Sequence, residues 1–539
     1  MSTLRKALLS AIVKSLLRGK SLLQAILSFW LNPLSIVSPS SKSIAGEPSV
    51  KSLQQFLKDS ETALLGPVSG NGLNELSSNL RKQILEGLRE DLPCMLPSYS
   101  HQLPKGVESG QFLALDVGGS TLRVALVELR SNGEGVENTS EIISMRSFRI
   151  GREIKDLEGM AFFEWMGARI EETISATLDR EHSPENPLPL ALAWSFPIEQ
   201  TSLGGGRLQA MGKGFLADIG LVGQDLGDIV KRACRSQSFH VELRAILNDS
   251  SACLLSRAYS HTSTRFGLIL GTGVNIAAYL PVNSIGRVKF GERPASWYDE
   301  ATHVIVNTEL GMFGKDILPL TRWDRQLLKE HPRPDFQPLE HMVSGMYLGE
   351  IARLIIVEAI HTAGLLGGVV PPSLKELYSL GTDTISMIEG DTSADLAAAI
   401  QLFSERHPSS YIPTTSDLEA IKSIASFVSV RSSALAATCV YTLWDLRLEG
   451  EREFISSLPE SSPRRQAAEE DLKLEKTTVA FNGSVIENYP GYLTSCQRYI
   501  NELIASKGLP EPRSIELVSA KESSLTGAAV ALACIDGEA

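Results

Sequence analysis

The sequence has few cysteines and few aromatic residues. Six cysteines occur in 539 residues, and none of them forms a Cys-x-x-Cys pair. This excludes a disulfide framework and favours a reducing compartment. Aromatic residues make up 6% of the chain, but 43% of it is hydrophobic and 21% is charged, as in an ordinary folded protein. The length is sufficient for two or more domains, each with its own core.

The chain also lacks an excess of positive charge, since its formal net charge is −12. This balance argues against a broad nucleic-acid surface, and we expect no nucleic-acid partner. Residues 1–46 differ, because they carry six lysines and arginines and no acidic residue. The remainder of the chain therefore has a charge of about −18 by subtraction.

Three interpretations of residues 1–46 remain open. A mitochondrial presequence is basic, contains serine and avoids acidic residues, as this segment does. A membrane anchor could use residues 21–38, although Asn32 and Pro33 interrupt a stretch close to the shortest spanning length, ~18 residues. A surface helix or a disordered tail is the third interpretation. We favour membrane or mitochondrial-surface association over the tail, and a secretory signal least.

One arrangement occurs twice in the sequence, about 155 residues apart: an apolar strand, a glycine-rich turn with hydroxyl groups, and a second apolar strand. The copies are FLALDVGGSTLRVALVEL (112–129) and FGLILGTGVNIAAYL (266–280). They predict an α/β protein with two lobes of related design. A Ser/Pro/Gly-rich linker at 38–52 and a helical pattern from about Leu53 to Leu92 precede them, and a charged insertion at 458–477 reads as an exposed loop or short helix.

The first turn places a carboxylate, Asp116, at the end of a buried strand and two glycines directly after it. An unpaired charge beside a core costs several kcal/mol, so stability alone does not explain it. Gly118 and Gly119 remove side chains that would block a ligand and permit backbone conformations closed to other residues. Backbone amides in such a turn can form an anion site. The alternative is an ordinary hairpin turn.

The second turn, Gly271-Thr272-Gly273, favours the anion site over the ordinary hairpin turn. Two glycine turns from two lobes could hold a polyphosphate from both sides. Six stretches, one of which contains this second turn, follow one another in a recognisable order. They are AWSFPIEQTSL (193–203), GKGF (212–215), LNDSSACLL (247–255), LGTGVN (270–275), VNTELGMFG (306–314) and LEHMVSGMYLGEIARL (339–354). In this order they resemble the successive motifs of the hexokinase family, within the actin, Hsp70 and sugar-kinase superfamily.

The resemblance runs from about residue 53 to the C-terminus. It implies an actin-like (RNase H-like) α/β fold with a cleft between a small and a large lobe. The family's N-terminal region, the small lobe with a leading helix, would span residues 53–255, and its C-terminal region, the large lobe, residues 256–539. Residues 1–46 would precede both as a targeting or membrane-association segment.

The implied activity is ATP-dependent phosphorylation of a hexose, glucose first, at its 6-hydroxyl, for entry into glycolysis or for sugar sensing. Asp249 matches the catalytic base, with Lys213 as a second catalytic residue. Asp249 could also cap the helix that follows it. The sugar-binding set implied by the resemblance is Ser195, Lys213, Asn248, Asp249, Asn275, Glu309 and Glu340.

By the same resemblance, ATP and Mg²⁺ are the cofactors. Asp116 would orient Mg²⁺ through water, because this ion keeps much of its hydration shell. The nucleotide-binding set is Asp116, Gly118, Gly119, Ser120, Thr121, Arg123, Gly271, Thr272, Gly273, Gly483, Ser484, Ser524 and Gly527. We expect a cytoplasmic protein, associated with the mitochondrial outer membrane through residues 1–46, and favour a monomer.

Several positions depart from the family pattern. Gly212 replaces a threonine beside the sugar-binding lysine, and Val274 replaces a threonine that could donate to a phosphate or to the sugar. Ser120 replaces a threonine but keeps its hydroxyl, Leu310 replaces a tryptophan, and Ala252 replaces a glycine. On the nucleotide side, Asn482 replaces an aspartate, and Ser523 and Leu525 replace glycines. A leucine needs room where backbone is expected to meet the nucleotide, and the glycine's φ could be positive. The alternative function is therefore a sugar-binding regulator with weak or no catalysis.

Overall fold

The computed structural model describes residues 52–131, 140–175, 182–509 and 512–536. The basic segment 1–46, predicted to associate with a membrane, lies outside these described residues. The strands are β1 (Leu96–Pro97), β2 (Gly110–Val117), β3 (Thr121–Leu129), β4 (Ser140–Arg149), β5 (Leu188–Trp194), β6 (Ile198–Gln200), β7 (Gly206–Leu208), β8 (Val241–Leu247), β9 (Thr264–Leu270), β10 (Val274–Pro281), β11 (His303–Asn307), β12 (Lys476–Asn482) and β13 (Ser514–Ser519).

Two mixed sheets form the centres of two lobes. The small-lobe sheet has the order β4-β3-β2-β5-β8, and the large-lobe sheet has the order β1-β11-β10-β9-β12-β13. In each, three neighbouring strands are parallel: β2, β5 and β8 in the first sheet, and β9, β12 and β13 in the second. The short strands β6 and β7 form a separate hairpin. The predicted pair of related lobes is confirmed.

The helices are α1 (Leu53–Leu65), α2 (Gly72–Arg89), α3 (Arg152–Lys155), α4 (Met160–Ile174), α5 (Leu226–Arg235), α6 (Asp249–Ala258), α7 (Ala295–Glu300), α8 (Arg322–Glu330), α9 (Glu340–Val343), α10 (Gly345–Ala363), α11 (Thr382–Gly390), α12 (Ala397–Arg406), α13 (Thr415–Ser457), α14 (Pro463–Leu472), α15 (Ser484–Asn488), α16 (Tyr492–Lys507) and α17 (Ser523–Asp536). The helical pattern predicted from Leu53 to Leu92 is two helices, because a 3₁₀ turn containing Pro67 separates them. The insertion at 458–477 contains the short helix α14, as expected.

The longest helix, α13, forms the centre of the large lobe. Its 43 residues begin at a capping box in which Thr414 and Asp417 exchange side-chain and backbone hydrogen bonds. By length and composition α13 could cross a membrane, but 78% of its apolar window is buried inside the protein. It is therefore a core helix, and its apolar character reflects contact on all sides.

The lobes do not follow the sequence division at residues 255 and 256. Helices α1 and α2 contribute Phe56, Leu80 and Ile84 to the apolar core of the large lobe. The C-terminal helix α17 packs instead on β2, β3 and β5 of the small-lobe sheet. The division remains a prediction about family regions, while the large lobe takes its first helices from the N-terminal side of it.

Candidate active site

The candidate site lies where the parallel strands of both sheets end. In the small lobe, Asp116 is the penultimate residue of β2, Ser195 follows β5, and Asn248 follows β8. The strands are in register, with Asp116 beside Ala193 and Ala193 beside Leu247. Carboxyl ends of neighbouring parallel strands are the usual place for a binding crevice in α/β proteins. The predicted residues therefore converge although Asp116 and Asn248 are 132 positions apart in sequence.

The start of α6 holds the predicted base. Asn248, rather than Asp249, is the N-cap: its Oδ1 accepts a hydrogen bond of 2.8 Å from the Ser251 amide. The alternative in which Asp249 caps the helix is thus wrong, because the preceding residue does so. Among the residues that the structure describes, Asp249 Oδ1 accepts a hydrogen bond from the neighbouring Ser250 amide alone, at 2.9 Å.

The environment of Asp249 suits proton transfer. Burial raises the pKa of Asp249 to about 6, and the negative charges of Asp116 and Glu309 act in the same direction. A base with a pKa near the working pH can both accept and release a proton. Beside it, the buried Asn248 Nδ2 has no hydrogen-bond partner among the described residues. An unsatisfied buried donor is costly, so this amide is suited to a ligand oxygen.

Lys213 lies in a strained segment. Gly212, Lys213 and Gly214 all have positive φ, at 64°, 53° and 81°. A lysine in this region costs of order 1 kcal/mol, so the strain points to a positional role. Its Nζ donates a 2.8 Å hydrogen bond to the Ser195 carbonyl and lies 4.8 Å from the centroid of the Phe196 ring.

Carboxylates from both lobes lie near Lys213. Desolvation lowers the pKa of Lys213, whereas the carboxylates of Asp249 and Glu340 oppose this change. A threonine at position 212, as in the family pattern, would have to adopt the left-handed backbone that glycine accepts easily. Gly212 therefore provides the bend that presents Lys213.

The large lobe contributes Asn275, Glu309 and Glu340. Glu309 has φ 49° and ψ 51°, a left-handed conformation at the end of β11. Burial raises the pKa of Glu309. Glu340, the first residue of α9, accepts a 3.0 Å hydrogen bond from the Val274 amide. The predicted loss of a hydroxyl at Val274 thus leaves its backbone in the site, while its side chain joins the core.

Sequence reasoning did not single out Asn307, which joins two of these residues. Its Oδ1 accepts a hydrogen bond of 2.8 Å from Asn275 Nδ2, and its Nδ2 donates one of 2.7 Å to Glu309 Oε1. The signal available was its place at the start of the VNTELGMFG stretch, two residues before Glu309.

The first glycine turn is open. Neither Gly118 nor Gly119 has a positive φ, so the expectation that they adopt conformations closed to other residues is wrong. They act by leaving space: a Cβ on Gly119 would lie 3.2 Å from Lys213 Cδ. The Thr121 carbonyl closes the turn by accepting a 3.0 Å hydrogen bond from the Gly118 amide, and the Ser120 carbonyl accepts one of 2.8 Å from the Ile150 amide.

An arginine joins the first turn to the C-terminal part of the chain. Arg123 donates to Asp116 Oδ2 through Nε, at 3.0 Å, and to Glu522 Oε2 through Nη1, at 2.6 Å. Sequence reasoning missed Glu522, whose φ is 48°. Burial raises the pKa of Asp116 while Arg123 opposes the rise. These contacts leave Asp116 Oδ1 without a partner among the residues that the structure describes.

The second turn is enclosed by backbone. The Gly345 amide donates a 2.8 Å hydrogen bond to the Gly271 carbonyl, and the Met346 amide donates one of 3.2 Å to the Thr272 carbonyl. A Cβ on Gly271 would lie 3.3 Å from the Ser484 amide, and one on Gly273 would lie 2.9 Å from Glu340 Oε2. The structure thus brings the second turn, Ser484 and Glu340 together.

The nucleotide-side departures lie mainly in the interior. Leu525 is fully buried within α17, among the apolar residues of the core, and its φ is not positive. The side chain of Leu525 therefore points into the protein and its backbone needs no glycine, while the effect of this departure on nucleotide affinity stays a prediction. Asn482 Nδ2 donates a 3.0 Å hydrogen bond to the Ala520 carbonyl, which an aspartate could not do.

Three further residues predicted to bind the nucleotide are Gly483, Ser524 and Gly527. Gly483 has φ 129° and approaches the Leu270 carbonyl, where a Cβ would lie at 2.4 Å. Ser524 is a largely buried residue of α17. Gly527 lies where α17 crosses α6, and a Cβ there would lie 2.0 Å from the Ala252 carbonyl oxygen. This placement gives Gly527 a role in helix contact, and its contact with a nucleotide stays a prediction.

The described residues fit phosphates better than a directly bound metal. Within the ranges that the structure covers, no group of three or more His, Cys, Asp or Glu side chains could hold a metal ion. The glycine turns form cradles that a Cβ would narrow, and Asp116 Oδ1 is available for a hydrated cation. This arrangement suits a Mg²⁺ ion that is held mainly by nucleotide phosphates and water.

Comparisons with known proteins agree with this geometry. Family models described as Hexokinase match residues 66–259 and 265–534. Hexokinase-5 of Oryza sativa subsp. japonica is 29% identical over 83% of this chain and 83% of its own length. Hexokinase of Kluyveromyces lactis is 27% identical over 87% of this chain and 90% of its own.

A solved structure, the hexokinase from Schistosoma mansoni complexed with glucose, matches with a TM-score of 0.70 at 25% identity. The match covers 90% of this chain and 100% of that one. It confirms the two-lobed actin-like fold predicted from the glycine turns and the ordered motifs. On this fold, with its converging strand ends and the matching family models, the chain belongs to the hexokinase family of sugar phosphotransferases.

Proposed function

We propose that this hexokinase-family chain is catalytically competent and transfers a phosphoryl group from Mg-ATP to the 6-hydroxyl of glucose. The observation that carries the proposal is the pairing at the start of α6. There, a carboxylate whose pKa is raised to about 6 lies beside a buried amide donor without a partner. The amide can hold a sugar oxygen while the carboxylate takes the proton of the attacking hydroxyl.

The residues of the small lobe perform the proton transfer and part of the charge stabilisation. Asp249 accepts the hydroxyl proton as the hydroxyl oxygen attacks. Lys213, near Asp249 and Glu340, offsets the negative charge that this places in the cleft. Bound Mg-ATP would supply the γ-phosphoryl group, with ADP leaving as its bond to the γ-phosphorus breaks, and Mg²⁺ would neutralise charge on the phosphates.

The two glycine turns support phosphate binding from both lobes. Their backbones come close to Lys213 on one side and to Ser484 on the other, so a polyphosphate could lie between them. Because Leu525 points into the core, this departure does not occupy the space between the turns. Asp116 and Arg123 would hold the hydrated cation and a phosphate oxygen, respectively.

The location proposed is cytoplasmic, with residues 1–46 attaching the protein to a membrane surface, of the mitochondrion first. None of the six cysteines, all of which lie in the described part of the chain, is in a disulfide, which suits a reducing compartment. Deleting residues 1–46 should release the protein from the membrane fraction. An unchanged membrane distribution would contradict this role.

The activity is tested by measuring glucose 6-phosphate formation with the full chain, Mg-ATP and glucose. Asp249→Asn should lower turnover by about 10³-fold, whereas Asp299→Asn, an exposed aspartate of α7, should leave it unchanged. Turnover of Asp249→Asn close to that of the unaltered chain would contradict the assigned base. If the unaltered chain binds glucose by calorimetry but forms no product, the protein is the sugar-binding regulator instead.

A further inference from the structure

We propose that Asn307 is a positioning residue for the sugar-binding wall of the large lobe, which consists of Asn275 and Glu309. It fixes which donor and acceptor atoms this wall presents to the hexose. It bridges Asn275 and Glu309, both predicted to bind the hexose, through its two amide atoms. The inference rests on the proposed hexose binding, and it assigns to Asn307 the donor and acceptor pattern that the wall presents.

Backbone groups fix the orientation of the first amide. Asn275 Oδ1 accepts hydrogen bonds from the Ile276 amide at 2.8 Å and the Leu310 amide at 3.3 Å. An amide oxygen must therefore occupy this position, because two N–H groups point at it. Asn275 Nδ2 consequently faces away from the strand, and one of its hydrogens goes to Asn307 Oδ1.

The orientation of the Asn275 amide in turn fixes the orientation of the Asn307 amide, to which it is hydrogen-bonded. Since Asn307 Oδ1 faces a donor, its Nδ2 must face Glu309 Oε1, at 2.7 Å. Asn307 Oδ1 also accepts the Glu309 amide at 3.3 Å, which supports the left-handed backbone of Glu309. The wall therefore presents a donor, the second hydrogen of Asn275 Nδ2, and an acceptor, Glu309 Oε2. Neither this second hydrogen nor Glu309 Oε2 has a hydrogen-bond partner among the described residues.

An aspartate at position 307 tests this arrangement because it is nearly isosteric but has no N–H. At pH 7.5 the Asn307→Asp carboxylate would face Glu309 Oε1, and two like charges at hydrogen-bond distance repel. We expect glucose Kd, measured by calorimetry, to rise at least tenfold, with ATP affinity changed less than threefold. Asn501→Asp, on the exposed surface of α16, is the matched control and should leave both affinities unchanged.

The pH dependence separates positioning from general damage to the fold. When the pH falls towards 5.5, the carboxyl groups at 307 and 309 can share one proton, which restores a donor at position 307. The ratio of glucose Kd between Asn307→Asp and the unaltered chain should therefore shrink at least threefold. Asn307→Ala, which has neither a donor nor a carboxyl group at this position, should show a raised Kd whose ratio to that of the unaltered chain does not shrink as the pH falls.

The outcomes distinguish the two proposals. If the unaltered chain binds no glucose, the proposed function fails, and the positioning role fails with it. If it binds glucose and Asn307→Asp binds equally well, or if the Kd ratio of Asn307→Asp is constant with pH, the positioning role alone is overturned. An unfolded Asn307→Asp variant, recognised by loss of ATP binding, leaves the comparison to Asn307→Ala, for which an unchanged glucose Kd overturns the role.

Discussion

The two lobes hold their site residues in different ways. In the small lobe, Asp116 and Lys213 are held by long side chains: Arg123 bonds the first, and Lys213 itself reaches the Ser195 carbonyl. In the large lobe, Glu340 and Asn275 are held by backbone amides, those of Val274 and Ile276. Asp116 and Lys213 can therefore adjust around a reacting group, whereas Asn275 and Glu340 are fixed to the backbone of their lobe.

The ion pairs of the lobes differ in the same sense. Asp471 of the large lobe binds both Arg265 and Arg447, and Arg447 also pairs with the fully buried Glu451. In the small lobe, Arg130 and Arg146 pair with carboxylates near the surface. Surface pairs contribute little to stability, but breaking a buried pair is costly. We infer that the small lobe supplies the base, that both lobes supply sugar-binding residues, and that the large lobe is the more rigid of the two.

The largest effect is expected at the small-lobe base. Asp249→Asn should lower kcat by about 10³-fold, within the range for loss of a general base, and leave glucose Kd within a few-fold. Steady-state kinetics and calorimetry on one preparation would test this. A raised Kd with unchanged kcat would contradict the role of Asp249 as the base.

The glycine turns should respond differently to the same substitution. Gly273→Ala places a Cβ 2.9 Å from Glu340 Oε2, so this sugar-binding carboxylate must move, and glucose KM should rise about 10-fold or more. Gly119→Ala meets only Lys213 Cδ, at 3.2 Å, on a side chain that can shift. We expect less than a threefold change there, and equal effects at both turns would contradict the comparison.

The pH dependence of catalysis should follow Asp249. Because the pKa is raised to about 6, the carboxyl group is protonated and inactive as a base below that pH. The ratio kcat/KM for glucose should fall towards tenfold per pH unit below about 6. A profile flat down to pH 5 would exclude Asp249 as the base.

Stability should depend more on the buried pairs of the large lobe. Burial raises the pKa of Asp471, but Arg447 and Arg265 outweigh burial and hold it at about 2. Their contribution is present above the unfolded pKa, near 4, and is lost as the pH falls towards 2. Asp471→Asn should lower the free energy of unfolding at pH 7 by about 3 kcal/mol, measured by denaturant titration.

The small-lobe pairs provide the control for this prediction. Glu141→Gln removes an exposed partner of Arg130 and should change the free energy of unfolding by less than about 1 kcal/mol. If Glu141→Gln and Asp471→Asn destabilise the protein equally, the proposed contrast in rigidity fails.

Much of this architecture could be predicted from sequence, because apolar strands and glycine turns are local signals. The ordered motifs identified the fold and the convergence of Asp116, Ser195 and Asp249. Asn307 and Glu522 were missed because their roles depend on partners 32 and 399 positions away. The burial of Leu525 was not predicted because a substitution pattern does not reveal that the new side chain points into the core.

The contact of α17 with the small-lobe sheet has a consequence for the order of folding during synthesis. Strands β2, β3, β5 and β8 are complete by residue 247, but the helix that covers one face of them begins only at Ser523. A ribosome must therefore add about 275 further residues before this apolar face is covered. Until then this apolar face of the small lobe is exposed, which favours aggregation during synthesis, although its strands are the first part of the active site to be made.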